Sequence, residues 1–164
     1  MSETLWAKLN ESLNEHGYME GVERTVQRVR ETGEVFTPSA LVVEMFQYCD
    51  LEVFAPGRTV LDPACGDGQF LVAVKLVKVL HHGMSEVDAL ADIYGVDIMR
   101  DNVDLCRRRL RGGTIVMGDA LRPGRLLEGQ MPEDVELMSA LFDEQVTSIR
   151  KKPRLRRQTQ ERLW

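Results

Sequence analysis

The sequence has few of the residues that disulfide bonds and metal sites require. It contains only three cysteines and three histidines among 164 residues, and none of them shows the paired spacing of a zinc site. A scattered, odd number of cysteines is typical of proteins in a reducing compartment. We therefore expect a cytoplasmic protein without structural disulfides and without a bound metal.

Long apolar runs are also lacking. No stretch approaches the roughly 20 apolar residues of a membrane span, and the first four residues lack the basic and apolar start of a signal peptide. A composition of 43% hydrophobic and 29% charged residues is that of a soluble globular protein. We expect one domain with its own core and no membrane partner.

Charge is distributed unevenly along the chain. Residues 145–164 contain seven basic residues and one acidic residue, a net charge of +6, so residues 1–144 must carry −11 for a total of −5. Basic tails of this kind are often merely solvated, and the alternative is that they bind the phosphates of a nucleic acid. The residues that we expect to contact nucleic acid are Arg150, Lys151, Lys152, Arg154, Arg156 and Arg157.

The centre of the chain is a glycine-containing loop between two apolar segments. Residues 59–62 predict a strand, Gly66 and Gly68 predict a tight turn, and residues 69–82 predict a helix. Glycine lets the backbone approach a ligand without a clash from Cβ, and the N–H groups of the following helix N-terminus point at such a ligand. The segment therefore predicts a ligand-binding loop.

The charge of this loop favours a cationic ligand. Asp62 and Asp67 stand where a phosphate site needs neutral or basic residues. A dinucleotide-binding fingerprint is disfavoured as well, because Leu71 stands at the position of its third glycine. S-adenosylmethionine, which carries a sulfonium and an amino group, fits the acidic loop.

Strands and helices alternate after the loop, which predicts a parallel sheet. Residues 93–97 and 114–117 predict two further strands, and Ser85 predicts the N-cap of a short helix before the first of them. A helix over residues 99–111 is expected to keep most of its arginines in solvent, namely Arg107, Arg108, Arg109 and Arg111.

Helical spacing also predicts three helices ahead of the loop. Two of them lie in the first 32 residues, and a third begins at Ser39 as its N-cap. The residues expected on the inner side of this third helix are Leu41, Val42, Met45 and Phe46.

Three segments resemble motifs of the DNA methyltransferases that modify adenine at N(6), the type I modification subunits in particular. Residues 62–70 are similar to the Asp-Pro-Ala-Cys-Gly-Ser-Gly-x-Phe cofactor loop, with Asp67 in place of the usual Ser. Residues 33–38 are similar to the Gly-Glu-x-Phe-Thr-Pro segment, and residues 118–121 to the Gly-Asp-Ala-Leu segment. The resemblance implies a Rossmann-like, S-adenosylmethionine-dependent methyltransferase fold.

The resemblance also implies cofactor contacts, position by position. Phe36 and Thr37 would lie against the methionine end, and Asp119 would accept the adenine amine. Asp97 would accept the two ribose hydroxyls at the end of the second strand, its alternative role being that of a helix N-cap. The full implied set is Phe36, Thr37, Asp62, Pro63, Ala64, Cys65, Gly66, Gly68, Phe70, Asp97, Ile98, Asp119, Ala120 and Leu121.

The base-binding motif of that family is missing. The family places Asn, Asp or Ser before Pro-Pro and an aromatic residue, because the adenine amine is a poor nucleophile that needs oxygen acceptors and a stacking ring. This sequence contains no Pro-Pro, and residues 133–149 show a helical pattern instead. We expect an incomplete parallel sheet in the order 3-2-1, truncated before the catalytic motif, whose open edge is covered by that helix or by another chain.

These segments suggest four parts and three functions. The parts are an N-terminal helical segment (1–30), a cofactor-binding methyltransferase-like domain (31–121), a connection with a C-terminal helix (122–149) and a basic tail (150–164). The leading hypothesis is an S-adenosylmethionine-binding domain of restriction-modification type, inactive or dependent on a second copy or a complementing chain to methylate DNA. The alternatives are an active adenine-specific methyltransferase, alone or split, and a non-enzymatic scaffold that binds DNA or a host protein.

Overall fold

The computed structural model describes residues 3–15, 25–32, 34 and 36–146, so the basic tail lies outside the described residues. Within them the chain forms α-helices and a three-stranded sheet. The helices are α1 (Glu3–Glu15), α2 (Val26–Thr32), α3 (Ser39–Gln47), α4 (Gln69–Leu80), α5 (Glu86–Ala91), α6 (Arg100–Leu110) and α7 (Pro132–Val146), with a 3₁₀ helix at Leu51–Phe54. The strands are β1 (Val60–Asp62), β2 (Ile93–Asp97) and β3 (Thr114–Met117).

The sheet is entirely parallel, with β2 between β1 and β3. Val60 of β1 pairs with Ile93, and Tyr94 of β2 pairs with Thr114. Helices α4 and α5 connect β1 to β2, and α6 connects β2 to β3, as parallel strands require a crossover. The predicted α/β fold and strand order are confirmed. The strands β2 and β3 have their predicted bounds, the other bounds differ by at most two residues, and the predicted end of the last helix at residue 149 lies outside the described residues.

One face of the sheet carries the main core, formed with α1, α3, α4 and α6. Helix α4 approaches this face closely because Gly95 has no side chain. A Cβ there would lie 2.7 Å from Leu71 Cδ1 and 3.0 Å from Ile115 Cδ1. On the far side of α4, Leu9 and Leu13 of α1 are fully buried.

The predicted inner side of helix α3 is correct for Val42 and Phe46 and wrong for Leu41 and Met45. Its buried apolar residues are Val42, Val43 and Phe46, whereas Leu41 and Met45 are 45% and 46% exposed. The helical pattern contains apolar residues over a wide arc, and periodicity alone did not fix which part of that arc faces α1 and α4.

The predicted cap of α3 is also wrong. Pro38 occupies the N-cap position, and Ser39 is the first helical residue. The Ser39 hydroxyl is buried and accepts a hydrogen bond from Gln69 Nε2 at 2.9 Å, so a contact with α4 takes the place of capping. The cap predicted for α5 is confirmed, since Ser85 Oγ accepts from the N–H of Asp88 at 3.1 Å.

The arginines of α6 do not all lie in solvent. Arg109 is only 4% exposed, so its predicted exposure is wrong. Arg107 is exposed as predicted, and its Nε donates to the Ile115 carbonyl at 3.0 Å. Arg108 and Arg111 are exposed as predicted.

Helix α7 packs against the opposite face of the sheet. Met138 fills the space over Gly118 and forms a second apolar cluster with Val96 and Val116. The buried Asp134 joins α7 to α6 by accepting from Arg100 at 3.0 Å and from Arg107 at 2.9 Å.

The outer edge of β1 stays open. Among the described residues no strand pairs with it, and α7 covers a face of the sheet rather than this edge. A groove of about 600 Å³ lies between the sheet and α7, lined by Leu61, Tyr94 and Leu141 among others. None of the described helices has the length and apolar character needed to cross a membrane.

Candidate cofactor site

A pocket of about 320 Å³ lies at the carboxyl ends of β1 and β2, where ligands of open α/β sheets bind. Most of the predicted cofactor residues line it, namely Phe36, Thr37, Asp62, Ala64, Cys65, Gly66, Phe70, Asp97 and Ile98. Pro63 and Gly68 belong to the same loop without lining the pocket.

Two glycines give the loop between β1 and α4 its conformation. Gly66 (φ +54°) and Gly68 (φ +85°) both adopt the left-handed conformation that favours glycine. Gly68 also lies against α6, since a Cβ there would be 2.5 Å from Cys106 Sγ. The loop conformation therefore depends on glycine at this position for two separate reasons.

Most N–H groups of this loop already have partners. Those of residues 64, 66 and 69 donate to aspartate side chains at 3.0–3.2 Å, and those of residues 65 and 68 donate to backbone carbonyls at 2.9 and 2.8 Å. The sequence predicted that such amides would point at a ligand. The structure instead offers carboxylates and the shape of the loop for recognition.

Asp97 is the centre of the pocket's hydrogen bonding. Its Oδ2 accepts from the N–H of Gly66 at 3.0 Å, and its Oδ1 accepts from the N–H of Met99 at 2.8 Å and from Asn102 Nδ2 at 3.1 Å. Burial raises the pKa of Asp97, although these hydrogen bonds oppose the shift. Asp97 thus joins the cofactor loop to the start of α6, and it is not the N-cap, a position that Met99 occupies.

Two further pocket residues were missed by sequence reasoning. Asn102 Nδ2 bridges Asp97 and Glu34, donating to Glu34 Oε1 at 2.5 Å. Glu34 belongs to the Gly-Glu-x-Phe-Thr-Pro segment, and this motif could have identified it as a site residue. Asn102 carried no signal, because its role depends on a partner 68 residues away.

The pocket concentrates negative charge. Burial raises the pKa of Asp62, and the neighbouring Asp97 raises it further against the hydrogen bond from Ala64. Glu34 in turn raises the pKa of Asp97. Asp62 and Asp97, which line the pocket together with Glu34, therefore favour a ligand with positive charge.

The sequence suggested that Asp67 adds negative charge to the pocket, but an arginine neutralises it. Its Oδ2 lies 2.6 Å from Arg109 NH1, and both side chains are 2% exposed. Arg109 also donates to the Asp67 carbonyl at 3.1 Å and, through NH2, to Gln69 Oε1. The ion pair neutralises Asp67 and anchors the second half of the loop to α6.

Asp119 lies after β3 and outside the pocket lining. Its Oδ2 accepts from Arg122 Nε at 2.9 Å and from Arg125 at 3.4 Å, and its Oδ1 accepts from the N–H of Leu121 at 3.1 Å. Desolvation opposes ionisation, but the charge and hydrogen bond of Arg122 and the backbone N–H groups of residues 121 and 122 together outweigh it and lower the pKa of Asp119. Ala120 packs beside the α7 cluster, and Leu121 is 92% exposed. Adenine contacts by these three residues stay a prediction.

Comparison with known proteins identifies a protein family. A family model described as N-6 DNA methylase matches residues 22–111, which include the glycine loop, Glu34 and Asp97. The match ends before β3 and Asp119. No solved structure gives a significant match to this chain.

Proposed function

The chain belongs to the N-6 DNA methylase family, and from that membership we propose that it binds S-adenosylmethionine in the pocket at the ends of β1 and β2. The function of the family is DNA methylation, so a bound S-adenosylmethionine would supply the methyl group. The observation that carries the proposal is the set of carboxylates around Asp97.

The residues of the pocket fit the ribose of this cofactor. A carboxylate offers about four acceptor positions, and Gly66, Met99 and Asn102 occupy three of those on Asp97. The remaining position accepts one ribose hydroxyl. Glu34, which shares Asn102 with Asp97, is placed to accept the second, so the pair divides a role that the sequence assigned to Asp97 alone.

The charge and size of the pocket fit the rest of the molecule. Asp62 and its neighbouring carboxylates attract the sulfonium and the amino group, and their attraction is strengthened because the site is partly desolvated. Phe36 and Phe70 add apolar surface to the lining. A volume of about 320 Å³ lies within the range of about 300–1,000 Å³ that is usual for small-molecule sites.

Methyl transfer, in this proposal, needs a second chain. Attack of the adenine amine on the methyl carbon breaks the carbon–sulfur bond and leaves a proton on the amine, which oxygen acceptors must take. The chain has no Pro-Pro motif to supply them. We propose that a complementing chain, or a second copy, brings these acceptors and that the tail beyond residue 149 binds DNA.

Calorimetric titration with S-adenosylmethionine tests the cofactor site. We expect micromolar binding, about −8 kcal/mol, that Asp97→Ala abolishes and Glu34→Gln weakens. Asp104→Ala is the matched control, because Asp104 lies on α6 with its side chain 46% exposed and outside the pocket. Absence of binding to the folded wild-type protein, or equal loss with the control, would overturn the proposal.

The same titration decides the role of Asp119. Loss of affinity in Asp119→Ala places the adenine end of the cofactor beside β3. Unchanged affinity removes Asp119 from the site and leaves its bonds to Arg122 and Arg125 as a purely structural link.

A further inference from the structure

A group of three metal-binding side chains lies far from the cofactor pocket. One ligand atom each from Glu52, His81 and His82 lies within 4.8 Å of the other two. The two histidines follow the C-terminus of α4, whose 12 residues span about 18 Å. The group therefore lies at the opposite end of α4 from Gly68 and the cofactor loop.

A hydrogen bond to the backbone holds the ring of His82 in place. Its Nε2 lies 2.9 Å from the carbonyl oxygen of Leu51. A carbonyl only accepts hydrogen bonds, so Nε2 carries the hydrogen and the lone pair of the neutral ring is on Nδ1. Metal-binding histidines commonly donate their second ring nitrogen to a backbone carbonyl in this way, which fixes the ring for binding.

The surroundings also favour a cation. The ring of His81 packs edge-on against that of His82, with centroids 4.6 Å apart at 75°, so each ring restricts the other. His81 is the C-cap of α4, and the C-terminal end of a helix carries a partial negative charge. Both histidines are half-buried, while Glu52 is exposed on the 3₁₀ helix.

Two imidazoles and one carboxylate are a ligand set of borderline softness. Such sets bind Zn²⁺ and related divalent ions, whereas Mg²⁺ and Ca²⁺ prefer oxygen ligands alone. We propose that Glu52, His81 and His82 form a binding site for a divalent transition-metal ion such as Zn²⁺, with water completing the coordination. The ion would join the 3₁₀ helix to the end of α4 and so stabilise the fold by mass action.

Linear spacing did not show this site. Glu52 comes from the segment between α3 and β1, and the histidines come about thirty residues later, after α4. Only the packing of the 3₁₀ helix against α4 brings the three side chains together.

Calorimetry with ZnCl₂ at pH 7.5 tests the site on the full chain. A Cys49→Ser background removes an exposed thiol that competes for zinc. We expect saturable binding of one ion per chain, weakened at least about tenfold by Glu52→Gln and by His81→Gln. His16→Gln, which changes the remaining histidine of the sequence, and Glu128→Gln are the matched controls and should leave the affinity within about twofold.

Two further measurements keep the test independent of folding defects. Metal-free thermal melts should show that the ligand variants unfold at about the temperature of the parent, and added Zn²⁺ should raise the melting temperature of the parent only. Absence of saturable binding, affinity unchanged in Glu52→Gln and His81→Gln, or equal loss in His16→Gln would overturn the site.

Discussion

Arg109→Met should destabilise the protein through the charge that it leaves behind. Methionine keeps much of the side-chain volume and removes the guanidinium that pairs with Asp67 at 2.6 Å. The substitution also removes the donors to the Asp67 carbonyl and to Gln69 Oε1. Because both side chains of the ion pair are 2% exposed, water cannot replace the lost donors without opening the loop.

Two estimates give the free energy of unfolding that Arg109→Met should lose. Removing one partner of a buried ion pair typically costs about 3–5 kcal/mol. The stranded carboxylate can instead take up a proton, and protonating an ordinary aspartic acid at pH 7 costs about 4 kcal/mol. We therefore expect a loss of about 3–5 kcal/mol at pH 7, which shrinks toward pH 4 as the proton becomes easier to supply.

Urea unfolding of four proteins measures the coupling: wild type, Arg109→Met, Asp67→Ser and the double variant. Serine at position 67 removes the charge, so the double variant should recover part of the loss, with a coupling energy of about 2 kcal/mol or more. Arg108→Met is the control, since Arg108 is exposed beside Arg109 and should change stability by no more than about 0.5 kcal/mol. A cost below about 1 kcal/mol for Arg109→Met, or simple additivity in the cycle, would refute the ion pair as the anchor of the loop.

Three other predictions concern charge, backbone and tail. Burial raises the pKa of Asp62 above 3.8, so ionisation at neutral pH opposes folding. Asp62→Asn should therefore raise the melting temperature at pH 7, lose that gain near pH 3.8 and below, and weaken S-adenosylmethionine; a lower melting temperature at pH 7 would contradict this. Gly68→Ala should destabilise more than Gly57→Ala in urea unfolding, because both have positive φ but only the first adds a Cβ against Cys106, and equal losses would argue against that contact. Replacing Arg154, Arg156 and Arg157 by alanine should weaken binding to duplex DNA in fluorescence anisotropy and flatten its salt dependence, whereas an unchanged slope would exclude the tail.

The elements that sequence reasoning located share one property, which is that their signals are local. β1, the glycine loop and α4 form one continuous segment, in which apolar runs and glycines mark each boundary. The same holds for β2, whose last residue Asp97 could be placed at the carboxyl edge without knowing its neighbours. Most of the predicted cofactor residues on these segments therefore line one pocket.

What could not be predicted depends on partners distant in the chain. Arg109 looked like one of four solvent-exposed arginines, and only its pairing with Asp67, 42 residues earlier, explains its burial. Asn102 and Glu34 meet across 68 residues. Asp119 was placed correctly after β3, but the arginines that engage it lie in a connection with no periodic pattern.

Because β1 is short, another strand can form only a few backbone hydrogen bonds with its open edge. With three residues, it is only half the length of the six- or seven-residue segments that stack into cross-β fibrils, and it ends in the acidic Asp62. Copies of the chain therefore gain little by pairing edge to edge, which is how very short edge strands protect natural sheets from aggregation. A molecule that binds here can gain additional contacts in the groove between the sheet and α7, which Leu61 and Tyr94 line. The edge therefore favours binding of a partner with complementary side chains over aggregation by strand pairing.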